Sequence, residues 1–213
     1  MMTNTPDYSD ARIILASASP RRRELLSFIG LRFHALPSTI PEETMDHEPP
    51  QDQVSRLAVA KATEISRRVP GKWVLGADTI VVIDGKILGK PRDAREAREM
   101  LALLASRTHE VYTGYALVHS DLPAPAVVRW VRSEVRIRGL AAEEIAGYVA
   151  TGEPMDKAGA YAIQGIGSAI VERISGSYTN VVGLPLCEVT RDLKELGIFD
   201  FLAELGSNDR RES

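Results

Sequence analysis

Three consecutive arginines follow the first apolar segment of the chain. Residues 13–16 are apolar and predict a buried strand, and residues 17–20, Ser-Ala-Ser-Pro, predict the start of a helix. Ser19 can cap this helix, with Pro20 in its first turn. Arg21 to Arg23 then oppose the helix dipole unless an anion neutralises them. Two interpretations stay open, a phosphate site at the helix N-terminus or a solvated basic turn.

A single carboxylate interrupts a long apolar segment. Residues 73–83 predict a buried strand, and Asp78 lies near its middle among Val, Leu, Ile and Ala. Burial of a carboxylate is costly unless the group is paired, binds a metal or faces a cleft. The alternative is an Asp at the end of a strand that caps a neighbouring backbone group. Because the apolar segment continues beyond Asp78, the pattern favours a functional carboxylate.

Two lysines are candidates for the same site. Residues 52–69 predict an amphipathic helix, and Lys61 lies four residues from both Leu57 and Ile65, on its apolar side. The Lys61 side chain either passes along the edge of the core to solvent or brings a cation to a cleft. Lys90 lies in a predicted tight turn and indicates little by itself.

Two further segments carry weaker signals. The long Pro-rich loop at 37–50 contains Glu42 and Glu43, which could hold a hard cation or could simply be solvated. Residues 156–165 are rich in Gly and Ala around Gln164, whose amide can recognise the edge of a base or can lie on the surface. The four histidines show no metal-ligand spacing, and no G-x-S-x-G motif is present.

These residues must be positioned by an alternation of strands and helices. Strands are predicted at 13–16, 33–36, 73–83, 86–88, 111–119, 127–137 and 169–174. Helices are predicted at 20–29, 52–69, 93–104, 141–150 and 186–196. This order predicts an α/β fold with a mixed central sheet flanked by helices.

Composition limits the classes of function. The chain has 213 residues, of which 44% are hydrophobic, and 26 Lys and Arg against 29 Asp and Glu give a net charge of -3. This balance argues against a nucleic-acid-binding or membrane-binding surface, although it permits a local basic pocket. The sequence shows neither a signal peptide nor a membrane span, and Cys187 is its single cysteine. We therefore expect a cytoplasmic protein with a buried thiol.

The chain is expected to form one domain. Residues 12–205 carry the predicted elements, and a core of this size is sufficient for independent folding. Residues 1–11 and 206–213 are polar and are predicted to be flexible.

Five motifs in order resemble the Maf family of nucleoside triphosphate pyrophosphatases. They are SASPRRREL, GADTIVV, GKPRDA, DKAGAYAIQG and GSYTNVVGLPL, and the resemblance spans about residues 12–197. It implies a fold related to that of inosine triphosphate pyrophosphatase, with two lobes around a deep cleft, and often a homodimer. It also implies hydrolysis of a nucleoside triphosphate to the monophosphate and pyrophosphate, with Mg²⁺ or Mn²⁺ as cofactor.

The same resemblance implies roles for individual residues. Asp78 matches the proton acceptor of the family, with Lys90 and Glu42 as further catalytic residues and with Glu42 and Asp78 as metal ligands. Arg21, Thr79 and Gln164 match the specificity positions of the branch that acts on dTTP and UTP. The remaining matches to substrate-binding positions are Ser17, Arg22 and Lys61, and Lys157 matches a polar residue of the family's cleft.

Two departures and two alternatives accompany the resemblance. Pro41 stands where an acidic residue is common, and Ala162 replaces a frequent Gly. One alternative is a pyrophosphatase of the 7-methyl-GTP type. The other is a regulator of septum formation that binds a nucleotide without hydrolysing it. A nucleoside triphosphate is the expected partner, with no nucleic acid and no membrane.

Overall fold

The fold is organised around one seven-stranded mixed sheet. A computed structural model describes residues 8–45 and 47–208. Its strands are β1 (Ile13–Leu15), β2 (Phe33–Ala35), β3 (Trp73–Ile83), β4 (Lys86–Leu88), β5 (Thr108–His119), β6 (Val127–Ile137) and β7 (Val171–Ser175). The order is β2-β1-β3-β5-β6-β7, and β4 also pairs with β3. Strand β1 is parallel to β2 and β3, whereas the other pairs are antiparallel. The predicted α/β class with a mixed sheet is confirmed.

Helices cover both faces of this sheet. They are α1 (Pro20–Phe28), α2 (Pro50–Arg68), α3 (Ala94–Leu104), α4 (Ala142–Ala150), α5 (Tyr178–Val182), α6 (Leu186–Glu195) and α7 (Phe201–Asn208). Three short 3₁₀ turns lie at Glu153–Asp156, Ala158–Ala160 and Gly165–Ala169. These turns, α5 and α7 were not predicted from the sequence. The turns and α5 are only three to five residues long, too short for helical periodicity to be visible.

Strand β3 has two different neighbours along one edge. Strand β1 pairs with its first part, Trp73–Leu75, and β4 pairs with its last part, Val81–Ile83. Strand β5 covers the other edge in ten consecutive pairs. Residues 76–80 therefore border a gap in the sheet, between β1 and β4, and Asp78 lies at the centre of this gap.

Two apolar cores lie at the two ends of β3. One core packs α1 and α6 against Leu75 and Ala77, and the other packs α3 and α4 against Val81 and Ile83. Thr79 lies between them on the same face of the strand, because side chains alternate along a strand. The predicted arrangement of two lobes around a cleft is confirmed, with the cleft at the polar position between the cores.

Two glycines bring α2 close to the opposite face of the sheet. A Cβ atom at Gly76 would overlap the backbone of Ala58, and one at Gly114 would overlap the backbone of Val54. Gly114 is also the β5 partner of Asp78. Since no side chain separates the helix from the sheet at these positions, α2 holds its side chains directly above Asp78.

Two local predictions were wrong. Ser19 stands at the N-cap position of α1 but makes no side-chain cap, and the Oγ of Ser17 instead accepts from the Ser19 amide. Cys187 is exposed rather than buried. It lies in the first turn of α6, whose buried side is formed by Val189, Asp192 and Leu193, so its thiol lies off that side.

The ends of the chain are described only in part. Residues 1–7 and 209–213 lie outside the described residues, so most of the two predicted flexible ends cannot be compared with the structure. Helix α7 continues to Asn208, three residues beyond the predicted domain boundary at 205. Within the described ranges, no helix is long and apolar enough to cross a membrane.

Candidate active site

The cleft between the lobes has a volume of about 350 Å³ and collects charged residues from distant parts of the chain. Its walls come from the start of α1, the loop before α2, α2 itself, the centre of β3 and the 3₁₀ turns after α4. The charged side chains that line it are Arg21, Arg22, Lys61, Lys90, Lys157, Glu42, Asp78 and Asp156. Five cations against three carboxylates give a positive cleft in a chain whose net charge is -3. Such a cleft suits a polyanion.

Lys61 binds two carboxylates at the bottom of the cleft. Its Nζ donates to Asp78 Oδ1 at 2.7 Å and to Glu42 Oε1 at 2.6 Å. The side chains of Lys61 and Asp78 are each only 8% exposed, whereas that of Glu42 is 50% exposed. Burial alone would raise the pKa of Glu42, but the hydrogen bond and charge of Lys61 outweigh it and lower the pKa. The buried Asp78 is thus paired and faces a cleft, as its position in the apolar strand predicts.

Arg22 is buried on the other side of β3 with uncharged partners. Its Nε donates to the carbonyl of Gly183 at 2.8 Å, and its two terminal nitrogens donate to Ser17 Oγ at 3.1 Å and Thr79 Oγ1 at 3.0 Å. Burial lowers the pKa of Arg22, and the nearby charge of Asp78 partly opposes this effect. A guanidinium has five N–H donors, so two remain beyond these three bonds for oxygens of a ligand. Arg23, by contrast, is exposed.

The remaining cations lie nearer the rim. Arg21 is 3.7 Å from the carboxylate of Asp156, and Lys90 is 3.8 Å from Glu42 Oε2 with 60% of its side chain exposed. Lys157 donates to Asp156 Oδ1 at 2.6 Å and to the carbonyl of Glu153 at 2.6 Å. Burial acts to raise the pKa of Asp156, but Lys157 and then Arg21 lower it overall. These cations are therefore held at the entrance by weak or partly exposed pairs.

The predicted specificity residues lie in different surroundings. Thr79 lines the cleft, and its Oγ1 is 2.9 Å from Thr113 Oγ1 in addition to accepting from Arg22. Gln164 is half-buried and directly follows Ile163, which lines the cleft. Arg21 lies at the rim. The structure thus places eight of the nine predicted site residues in the cleft walls, with Gln164 in the adjoining turn.

The carboxylates of Asp78 and Glu42 are the candidate ligands for a divalent cation. Lys61 binds one oxygen of each, so each retains a second oxygen, and carboxylate oxygens are the ligands that Mg²⁺ and Mn²⁺ prefer. No group of three or more potential metal-ligating side chains occurs among the residues described. Two carboxylates fit a metal such as Mg²⁺ that shares its remaining positions between water and substrate phosphate.

Two contributors to the site were missed by sequence reasoning. The carbonyl of Gly183 binds Arg22, and a main-chain acceptor leaves no signal in the residue type. Asp156 pairs with Arg21 across the cleft. The charge of Asp156 beside Lys157 is visible in the sequence, but its partner Arg21 lies 135 residues earlier, so the pairing is not.

The fold and the cleft define the class of this protein. It is a two-lobed α/β protein whose positively charged cleft contains a lysine-bridged pair of carboxylates. A family model described as Maf-like protein matches residues 12–196. The chain belongs to the Maf family.

Relatives cover almost the whole chain. A dTTP/UTP pyrophosphatase of Syntrophotalea carbinolica is 53% identical over 196 residues, which are 91% of this chain and 89% of the relative. A protein of the same name from Geobacter metallireducens is also 53% identical, over 88% of this chain and 97% of the relative. The sequence resemblance stated above is confirmed at the level of the family.

Solved structures show more distant likeness. A nucleoside-triphosphatase, dITP/XTP pyrophosphatase, from Mycobacterium abscessus is 22% identical with a TM-score of 0.39, covering 59% of this chain and 73% of that chain. A HAM1 protein from Coxiella burnetii is 19% identical with a TM-score of 0.42, covering 70% of this chain and 85% of that chain.

Proposed function

We propose that this protein is a nucleoside triphosphate pyrophosphatase that hydrolyses dTTP and UTP to the monophosphate and pyrophosphate. The observation that carries the proposal is the division of the cleft into two parts. Arg22, held by uncharged oxygens, faces a carboxylate pair that shares Lys61. The substrate class rests on the relatives named dTTP/UTP pyrophosphatase and on the Arg21, Thr79 and Gln164 set.

The proposed reaction begins with water near Asp78. The Asp78 carboxylate accepts a proton as the water oxygen bonds to the α-phosphorus. The bond from this phosphorus to the oxygen bridging the β-phosphate breaks, and its electron pair leaves with pyrophosphate. Lys61 keeps the Asp78 carboxylate in place and limits its rotation, since it binds Oδ1. Lys61 thus acts on the carboxylates, a role different from the substrate binding that the resemblance implies.

The phosphates are proposed to bind along the cationic side of the cleft. Arg22 offers its remaining donors to phosphate oxygens, while Arg21 and Lys90 act from the rim. Negative charge grows on pyrophosphate as it leaves, and fixed cations stabilise this charge. For Arg21, phosphate binding means exchanging its 3.7 Å pair with Asp156 for the substrate.

A divalent cation is part of the proposal, with Asp78 and Glu42 as its protein ligands. When bound, it would polarise a phosphoryl oxygen and neutralise charge on the departing group. Lys90 Nζ lies 3.8 Å from Glu42 Oε2 and would help to hold that carboxylate. A homodimer and a cytoplasmic location complete the proposal as expectations from the sequence.

The deciding experiment is an assay of pyrophosphate release with dTTP, UTP, dCTP, GTP and 7-methyl-GTP. Each nucleotide is tested with Mg²⁺, with Mn²⁺ and with a chelator. We expect the highest kcat/KM with dTTP and UTP and no turnover in the chelator. A preference for 7-methyl-GTP would identify the other branch of the family, and tight dTTP binding without turnover would identify a nucleotide-binding regulator.

A double substitution tests the specificity assignment. Thr79→Gln with Gln164→Glu is expected to move preference from dTTP toward 7-methyl-GTP, since the family resemblance implies Gln and Glu at these two positions in the 7-methyl-GTP branch. Unchanged preference in a folded variant would remove these two positions from the selectivity of the pocket.

A further inference from the structure

The carboxylate of Glu153 accepts hydrogen bonds from the turn that begins at Gln164. Glu153 Oε2 accepts from the Gly167 amide at 2.8 Å, and Glu153 Oε1 accepts from the Ile166 amide at 3.0 Å. These are two free amides at the start of the 3₁₀ turn Gly165–Ala169, which has Gln164 at its N-cap position and no side-chain cap of its own. Glu153 therefore performs the capping that Gln164 does not, and the Gln164 side chain remains available for another role.

The other end of the same segment is held through Tyr148. Its hydroxyl donates to Glu153 Oε2 at 2.7 Å and accepts from the Ala162 amide at 3.1 Å. Tyr148 is buried, with 6% of its surface exposed. Tyr148 and Glu153 thus form one hydrogen-bonded unit, hereafter the Tyr148–Glu153 clamp, that holds Ala162 on one side of Gln164 and Gly167 on the other.

Glycines in this segment leave space for the clamp. Gly165 has a φ of 67°, in the left-handed region that favours glycine, and a Cβ atom there would overlap Glu153 Oε1. A Cβ atom at Gly167 would overlap the carbonyl of Ala162 and crowd the Tyr148 hydroxyl. The segment therefore fits closely around these two side chains.

The clamp is connected to the wall of the cleft. Tyr161, Ala162 and Ile163 line the cleft directly before Gln164. The Glu153 carbonyl also accepts from Lys157, another cleft-lining residue. Burial acts to raise the pKa of Glu153, but the Tyr148 hydroxyl and the two amides lower it overall, which keeps the carboxylate an acceptor.

We infer that the Tyr148–Glu153 clamp positions Gln164 for recognition of the nucleotide base, so that Glu153 and Tyr148 determine specificity without touching the substrate. This inference rests on the proposed function, because it needs a base to be recognised at Gln164. The clamp fixes the backbone on both sides of Gln164, and a base-reading amide discriminates well only when its position is fixed.

The test compares kcat/KM for dTTP and GTP in Glu153→Ala, Tyr148→Phe and Gln164→Ala. We expect the dTTP preference to fall about tenfold in Glu153→Ala, since a hydrogen-bonded charged acceptor is lost, and by less in Tyr148→Phe. Glu153→Gln keeps an acceptor oxygen and is expected to recover part of the preference. The double variant Glu153→Ala with Gln164→Ala should discriminate no less than Gln164→Ala alone, because both changes remove the same recognition.

Glu144→Ala is the matched control. Glu144 also caps a backbone amide, that of Ala141, and pairs with Arg138, but it is exposed and belongs to α4. Amide exchange of 162–167 is expected to rise about tenfold in Glu153→Ala and to stay unchanged in Glu144→Ala.

The two failures are distinguishable. A wild-type protein that releases no pyrophosphate from any nucleotide overturns the proposed function. An active wild type whose dTTP preference survives in Glu153→Ala overturns the clamp inference, even if the melting temperature falls, because a merely structural glutamate would lower stability without changing preference.

Discussion

Two cations are buried in opposite walls of the cleft, and they have opposite kinds of partner. Lys61 on α2 binds two carboxylates, those of Asp78 and Glu42, at 2.7 and 2.6 Å. Arg22 on α1 binds three uncharged oxygens from a serine, a threonine and a main-chain carbonyl. Lys61 and Arg22 are almost equally buried as whole residues, at 6% and 8% exposure.

The difference assigns a different task to each wall. The Lys61 side holds both carboxylates, with Lys61 bonded to one oxygen of each and Lys90 3.8 Å from Glu42, and the remaining carboxylate oxygens suit a water molecule or a divalent cation. On the Arg22 side the acceptors of the guanidinium within the described residues are all uncharged, so its desolvation is only partly offset. A phosphate would supply the missing anion. In the proposed reaction, the two walls therefore have different roles.

The largest expected effect comes from Asp78 in the carboxylate wall, which is the side of the cleft formed by Lys61, Asp78 and Glu42. In Asp78→Asn the shape of the side chain is kept but the proton acceptor is lost, so kcat for dTTP should fall about 10³-fold. The variant should fold normally, as measured by circular dichroism and thermal melting. Asp84→Asn is the control, because Asp84 is an exposed turn residue paired with Arg107. Near-normal turnover in Asp78→Asn would contradict the assignment of the base.

Removing the lysine should have the next largest effect. Lys61→Met leaves two neighbouring carboxylates without their shared cation, so both side chains are expected to move apart and kcat to fall roughly 10²-fold. The Mg²⁺ concentration needed for half-maximal activity is measured together with kcat and KM. If only KM rises, Lys61 binds phosphate and the contrast between the two walls is wrong.

A smaller effect is expected on the arginine wall, which is the side of the cleft formed by Arg22 and its three acceptors. In Arg22→Lys the charge remains, but the planar group that reaches Ser17, Thr79 and Gly183 is lost. We expect KM for dTTP to rise about tenfold with a smaller change in kcat. Arg23→Lys serves as the control, since Arg23 is exposed. Equal effects at the two positions would show that general positive charge matters rather than the Arg22 pocket.

His109 offers the smallest effect, as a buried base. Its Nε2 bonds the Tyr161 hydroxyl at 2.7 Å, and Nδ1 has no hydrogen-bond partner in the part of the chain that the structure describes. Burial lowers the pKa of His109 from 6.5 to about 4. Below the unfolded pKa the unfolded chain binds a proton that the folded chain does not, so this contribution to stability is lost as pH falls from about 6.5 to about 4.

The measurement is urea unfolding of wild type and His109→Gln at two pH values. Between about pH 7 and about pH 5.5, wild type should lose about 1 kcal/mol more of its free energy of unfolding than the variant does. Parallel losses in the two proteins would mean that His109 does not carry this pH dependence.

The carboxylate wall could be predicted from local pattern, and the arginine wall only in part. Asp78 in an apolar strand and Lys61 at apolar helical spacing both violate the expected burial of residue types, which made them visible. Arg22 also lies three and four residues before Leu25 and Leu26, on the buried side of α1. Only Arg22 of the three arginines has both spacings, which predicts that it alone is buried.

Other features required the folded chain. The gap beside residues 76–80 arises because β1 and β4 share one edge of β3, and strand neighbours are set by long-range pairing rather than by local sequence. The hydrogen bonds of Glu153 to the turn after Gln164 depend on short 3₁₀ turns that carry no periodic signal. Strand limits, in contrast, were predicted closely where alternation or an Asp-Gly turn marked them, as at β3 and β4.

The two walls also differ in how much of the chain must exist before they form. Lys61 is 17 residues from Asp78 and 19 from Glu42, whereas Arg22 is 161 residues from Gly183. Closing a longer loop costs more entropy. During synthesis from the N-terminus, the carboxylate wall has all its residues early, while the Arg22 pocket waits for nearly the whole domain. A nascent or truncated chain ending before Gly183 therefore lacks a complete Arg22 pocket.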